Sequence, residues 1–198
     1  MARGHNTGRR RDGRRERTRQ RIVEATVELH ETVGVARATI SAIAERAGVQ
    51  RLTVYRHFPD ERALLSACSG HWTASNPPPE PGSWSQVADP QERLRVALGE
   101  VYAYHRSTES MMSNIVREAP VKPVLLEVSE PYFRHWERMR YVLATGWGVG
   151  DERLAMLLAT LGHALDFQTW RSLVRQQGLS DERAVEAMAG MVRCLTRD

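Results

Sequence analysis

The chain has 198 residues, of which 41% are hydrophobic and 26% charged, with a net charge of +4 and a pI near 9.5. That length and apolar content suffice for a real core in one domain or two small ones, and they exclude a disordered composition. The charge is uneven, +6 over Met1 to Arg62 and −2 over the remainder, so the attraction for a polyanion lies in the N-terminal third.

Met1 to Arg15 is rich in glycine and arginine (Arg3, Arg9, Arg10, Arg11, Arg14, Arg15) and lacks apolar periodicity. It reads as a basic arm, disordered in the free chain, of the kind that wraps phosphates or enters a minor groove. A solubilising tail is the blander alternative, since arginine replaces lysine throughout and Lys122 is the only lysine. No apolar segment follows, so the arm is not a secretory signal. Glu16 to Val33 is the first predicted helix, with Ile22, Thr26, Leu29 and Val33 on one stripe.

Thr39 to Phe58 carries the most specific pattern. Ile40, Ile43, Ala44 and Ala47 recur at three- and four-residue steps behind Thr39, a good N-cap. Gly48 follows, suited to the positive φ of a tight turn, and Val49 can point back into the core. A second short helix, about Gln50 to Arg56, sets Leu52, Tyr55 and Phe58 at helical spacing. Two short helices with a hydrogen-bonding outer face match a helix-turn-helix that lays its second helix in the DNA major groove; an ordinary helical hairpin fits the same pattern.

Arg17 to Cys68 resembles the N-terminal domain of the TetR family of transcriptional repressors. The resemblance rests on a first helix followed by Gly34, then T-I-x-x-I-A-x-x-A-G-V, T-V-Y-x-H-F and a leucine-bearing fourth helix. It implies an all-α homodimer whose C-terminal domain binds a small molecule and thereby releases operator DNA. Gln50 and Arg51 have the donor geometry for base edges, and Thr53 suits a thymine methyl. By the resemblance Thr39, Tyr55 and His57 hold phosphates. Arg56 fits either role, and Ser41 joins the DNA-facing set. One departure stands out: many family members place a phosphate-binding lysine where this chain has Glu61, with Arg62 beside it.

Beyond Asp60, an N-cap, a fourth helix runs through Ala63, Leu64, Ala67 and Cys68. Asn76 to Ser83 (NPPPEPGS) ends it and reads as a loop within the C-terminal domain rather than a domain linker. Helices are predicted over Gln91 to His105, Thr108 to Glu118, Val124 to Thr145 (kinked or divided at Pro131), Asp151 to Arg175 and Ser180 to Thr196. The resulting division is a basic arm over 1–15, a three-helix DNA-binding domain over 16–62 and a helical ligand-binding and dimerisation domain over 63–198.

In the last two helices Leu154, Leu157, Leu158, Leu161 and Leu165 form one apolar face, with Ala155, Ala159 and Gly162 on another, while Val185, Met188, Val192 and Leu195 repeat near heptad spacing. This pair reads as a four-helix homodimer interface. Trp72, Tyr102, His105, Met112, Asn114, Arg117, Trp136, Met139, His163, Asp166 and Trp170 mix aromatic area with a few polar groups, as sites for small-molecule effectors do. A mainly apolar effector is expected. Cys68 and Cys194 lie far apart with no metal-ligand pattern, so the expectation is a cytoplasmic protein with reduced thiols and neither metal nor cofactor. The longest uncharged apolar run, Leu154 to Leu165, is too short for a membrane span. Two other readings compete: a non-specific nucleoid-type DNA binder, and a helical-bundle enzyme, for which no Glu-x-x-His pair, P-loop or nucleophile elbow is present.

Overall fold

The computed structural model describes residues 5–196, and every regular element among them is helical. In chain order the helices are α1 (His5–Thr32), α2 (Ile40–Arg46), α3 (Arg51–His57), α4 (Glu61–Ser75), α5 (Pro81–Trp84) and α6 (Pro90–Ser107). There follow α7 (Glu109–Glu118), α8 (Val124–Val128), α9 (Glu130–Ala144), α10 (Asp151–Leu165), α11 (Phe167–Arg171) and α12 (Asp181–Thr196). Among the described residues no helix is long and apolar enough to cross a membrane.

The chain forms two compact units: the part up to Asn76 with Ser110–Ser129, and Pro77–Glu109 with the part from Glu130 onward. The division at Asn76 falls in the proline cluster expected to be an internal loop, and it moves 63–76 and 110–129 out of the expected C-terminal domain. Prolines that donate no hydrogen bond end α4 there.

In unit 1, α1 packs on α2 and α4 around Ile22, Val23, Ile43, Ala44, Val54, Phe58, Leu64 and Cys68. A satellite cluster of Val35, Leu65 and Leu125 seats α8 against α4. The helix of residues 16–33 proves longer: α1 begins at His5, so the expectation of a disordered arm fails for its described part, while residues 1–4 lie outside the described residues. Arginine is a good helix former and no proline interrupts residues 5–32. At the other end of α1, the Asn114 amide donates to the carbonyls of His30 (2.7 Å) and Glu31 (3.0 Å), and the Ser110 hydroxyl to Glu31 (2.7 Å). Glu118, buried, accepts from the Ala36 N–H at 2.6 Å. These side chains satisfy backbone groups that a helix end leaves unpaired.

Unit 2 is built on α6, whose Leu94, Leu98, Val101 and Tyr102 are fully buried as the spacing predicts. It packs against α9, α10 and α12. Two predicted helices are broken. Val124 to Thr145 divides at Ser129, just before Pro131. Asp151 to Arg175 stops at Asp166, which turns extended (ψ 136°) and accepts from the N–H groups of Gln168 and Thr169 to cap α11. Aspartate competes for backbone donors in this way, which favours a new helix start over continuation. Val185, Met188 and Val192 are buried within the unit, whereas Ala155, Met156, Ala159, Ala187, Met191 and Cys194 are exposed on α10 and α12.

Candidate nucleic-acid interface

The approach of α2 to α3 is set by a few backbone decisions. Thr39 caps α2 by accepting from the Ala42 N–H at 3.2 Å. Gly48 takes φ 63°, and the N–H groups of Gly48 and Val49 return to the Glu45 and Ala44 carbonyls at 3.0 and 2.9 Å. The Arg21 guanidinium donates to the carbonyls of Ala47 and of Gly48 (3.0 Å), placing positive charge at the negative end of α2. Glu28 holds Arg46 at 2.7 Å, so α1 fixes both the start and the end of the turn.

Only Val54 and the following Phe58 anchor this segment inward, at 0% and 3% exposure. Leu52, which was expected to share a stripe with Phe58, is 66% exposed, and Tyr55 is 49% exposed. The reason is angular: Leu52 precedes Val54 by two residues, which at 100° per residue turns it away from the core. Arg51, Leu52, Tyr55 and Arg56 therefore form the outward face of α3, with Gln50 exposed at its start and Thr53 and His57 half-buried at its side. Thr39 and Ser41 are exposed on the neighbouring α2. Arg56 donates to the Thr53 hydroxyl at 3.0 Å. Burial, with Arg15, Arg56 and Arg19 nearby, lowers the pKa of His57 and favours its neutral form. The outward face is donor-rich and carries no carboxylate, which suits the acceptor-rich edges of the major groove.

Beside it lies a groove of about 1250 Å³ with α1 as one wall and α3 as the other. Arg11, Arg14, Arg15, Arg17 and Arg21 line the first wall, and Gln50, Thr53, Arg56 and His57 the second. Asp12 is its one acidic group and Val49 its one aliphatic side chain. The sequence pattern split this wall, with Arg11, Arg14 and Arg15 in a loose arm and Arg17 and Arg21 on the first helix.

The family model of bacterial regulatory proteins, tetR family, matches residues 22–68. This stretch is a TetR-family DNA-binding domain. The HTH-type transcriptional regulator SrpR of Pseudomonas putida is 46% identical over 52 residues, 26% of this chain and 24% of SrpR. The tetracycline repressor protein class C of Escherichia coli is 23% identical over 163 residues, covering 81% of this chain and 70% of that protein. A solved TetR-like transcriptional regulator from Rhodococcus sp. RHA1 shares the fold with a TM-score of 0.61 at 16% identity, over 89% of this chain and 93% of that one. The chain thus aligns with about a quarter of SrpR but with most of the repressor's length.

At the start of α4, where many TetR-family members carry lysine, Glu61 accepts from Lys122 at 2.6 Å and Arg62 is paired with Glu127. Arg62 is therefore occupied within the unit.

The residues expected to line a ligand site fall into both units. Trp72, Met112, Asn114 and Arg117 belong to unit 1. There the Trp72 indole donates to Glu31 (3.0 Å), Arg117 donates to Asn114 (2.7 Å), and Asn114 braces the end of α1. In unit 2, His105 gathers three of the others: its ring centroid lies 5.3 Å from Trp136, 6.0 Å from Trp170 and 6.3 Å from Tyr102. His105 Nε2 donates to the Leu165 carbonyl at 2.9 Å, which leaves buried Nδ1 as an acceptor without a protein partner. Burial pushes the His105 pKa down to about 4, against the pull of the Leu165 carbonyl and Asp166. Met139 is fully buried in the same unit, whereas His163 and Asp166 are exposed, the former beside the Thr169 hydroxyl (3.1 Å) and the latter capping α11.

Proposed function

We propose that the chain is a homodimeric transcriptional regulator that reads an inverted-repeat operator with α3 and leaves it when a small molecule occupies unit 2. The observation that carries this reading is the outward face of α3. Arg51, Leu52, Tyr55 and Arg56 stand exposed on a short helix whose two inward residues lock it to a packed core. Arg51 and Gln50 supply donors to base edges, Leu52 supplies methyl groups that fit a thymine methyl, and Thr39, Tyr55 and His57 hold backbone phosphates.

One such helix makes few contacts, and twofold pairing doubles them at a spacing of about 34 Å. The exposed small and flexible side chains of α10 and α12, Ala155, Met156, Ala159, Ala187 and Met191, support a second copy packing there. The unpartnered His105 Nδ1 among Tyr102, Trp136 and Trp170 supports a mainly aromatic effector with one hydrogen-bond donor. Repression, rather than activation, follows the example of the repressor from Escherichia coli.

Selection from a random duplex pool tests the reading. Recovery of an inverted repeat, with Arg51→Ala relaxing preference at one base position, is the expected outcome; indifference between that fragment and scrambled competitor would overturn it.

A further inference from the structure

Several arginines outside the groove are matched with carboxylates. Arg46 pairs with Glu28, Arg62 with Glu127, Arg106 with Asp181, Arg134 with Glu130 and Arg175 with Glu109. Along the groove between α1 and α3 arginines without a carboxylate partner gather on one wall. Among the described residues Arg11, Arg14, Arg15, Arg17 and Arg56 form no ion pair. Arg11, Arg14, Arg15 and Arg17 of α1 all precede the stretch at 22–68 that matches the family. They are mounted on a helix that continues into the buried Ile22 and Val23, so the helix fixes where they stand relative to α3.

We propose that this groove is a second DNA contact, in which the early turns of α1 grip the sugar-phosphate backbone flanking the major groove that α3 reads. The proposal rests on the DNA-binding reading above and adds to it a footprint beyond the helix-turn-helix. Like charges gathered on one wall repel each other; a polyanion's phosphates neutralise that charge, and the counterions they shed add a favourable, salt-dependent term. Continuity favours duplex DNA over other anions, because the opposite wall is α3 itself, through Gln50, Thr53 and Arg56. A lipid surface fits poorly, since stable interfacial binding needs an apolar anchor and Val49 is the single aliphatic side chain in the groove. The contact reads no bases. Guanidinium groups on phosphates set register and strength and leave sequence choice to α3.

The test is the joint variant Arg11→Gln, Arg14→Gln, Arg15→Gln and Arg17→Gln, which keeps good helix formers throughout, beside a charge-preserving set with lysine at the same positions. Binding is measured against salt concentration on the selected inverted repeat and on its scrambled counterpart. The glutamine set is expected to lose affinity by the same factor on both duplexes. Its slope of log affinity against log salt should be shallower by about 0.9 for each phosphate contact removed, while the lysine set keeps the native slope. An unchanged slope in the glutamine set, with the native protein still preferring the inverted repeat, overturns the groove contact and leaves the α3 reading intact. Absence of preference in the native protein would instead sink the α3 reading. Loss of binding to phosphatidylserine vesicles by the glutamine set, with duplex slopes unmoved, would reassign the groove to a membrane and equally overturn the proposal.

Discussion

The two units bury different chemistry. Beneath α2 and α3 the core is aliphatic, Ile22, Val23, Ile43, Val54 and Leu64 around one aromatic ring, Phe58. Unit 2 instead surrounds His105 with Tyr102, Tyr104, Trp136, Phe167 and Trp170, and it leaves an acceptor of that histidine without a protein partner. Close-packed aliphatic side chains hold one arrangement, which is what the proposed presentation of α3 donors to base edges requires. Aromatic surface with an unsatisfied polar atom loses stability and offers that atom to a ligand. The contrast teaches that one unit is packed to hold a shape, while the other keeps an unpaired polar atom among aromatic rings, the feature on which the proposed effector site rests.

The largest test of the contrast is Phe58→Ala. The ring is 3% exposed and lies under the Arg19 guanidinium at 5.0 Å, so truncation removes both packing and a cation–π contact. Urea unfolding is expected to show a loss of about 3–5 kcal/mol, with operator binding failing because α3 loses its anchor. A loss below about 1 kcal/mol, within the range of ordinary surface changes, would show that the aliphatic core does not depend on this ring.

Acid is the next lever, because each unit holds a buried histidine. Burial, reinforced by Lys122, lowers the pKa of His30 to about 4, and burial lowers that of His105 to about 4. Both stay neutral in the fold, while in the unfolded chain they take up protons near pH 6.5. Stability from this source is therefore complete above about pH 6.5 and falls as pH drops towards 4, by about 1.4 kcal/mol per pH unit for each histidine. Urea midpoints across that window should fall for the native chain and fall less steeply for His105→Leu. If the two chains kept parallel profiles, His105 would not be held neutral by its aromatic surroundings, and the contrast between the cores would weaken.

The part of the molecule legible in the sequence is the part whose contacts are local. The Thr39 cap, the positive φ of Gly48, the Asp60 cap and the buried stripe of α6 all follow from residue type and spacing within one or two turns. Leu52 was also within reach, since two residues separate it from Val54, but the short helix allowed a second apolar stripe to compete. The long-range pairs were out of reach. Nothing in the local pattern places Asn114 against the end of α1, or Lys122 against Glu61, because those contacts span more than 60 residues. The groove was missed for a related reason. Arginines in a glycine-bearing stretch look the same whether the backbone is a coil or a helix, and only continuity with the buried turns of α1 decides between them.

The smallest expected effect lies at the edge of the rigid unit, where α4 begins. Glu61 and Lys122 meet at 2.6 Å with side chains 58% and 26% exposed, so solvent screens the pair and its contribution to stability is at most about 1 kcal/mol. Lys122→Gln should therefore leave the unfolding midpoint nearly unchanged. Its consequence for DNA is different in kind. The resemblance puts a phosphate next to the position of Glu61, and a carboxylate deprived of its cation repels that phosphate whatever the bases are. Weaker binding by a similar factor on operator and scrambled duplex is expected for Lys122→Gln, and stronger binding on both for Glu61→Lys, with each difference shrinking as salt rises. Unaltered affinity at low salt in both variants would mean that this end of α4 faces away from the duplex, and the rigid unit would then present only α1, α2 and α3 to DNA.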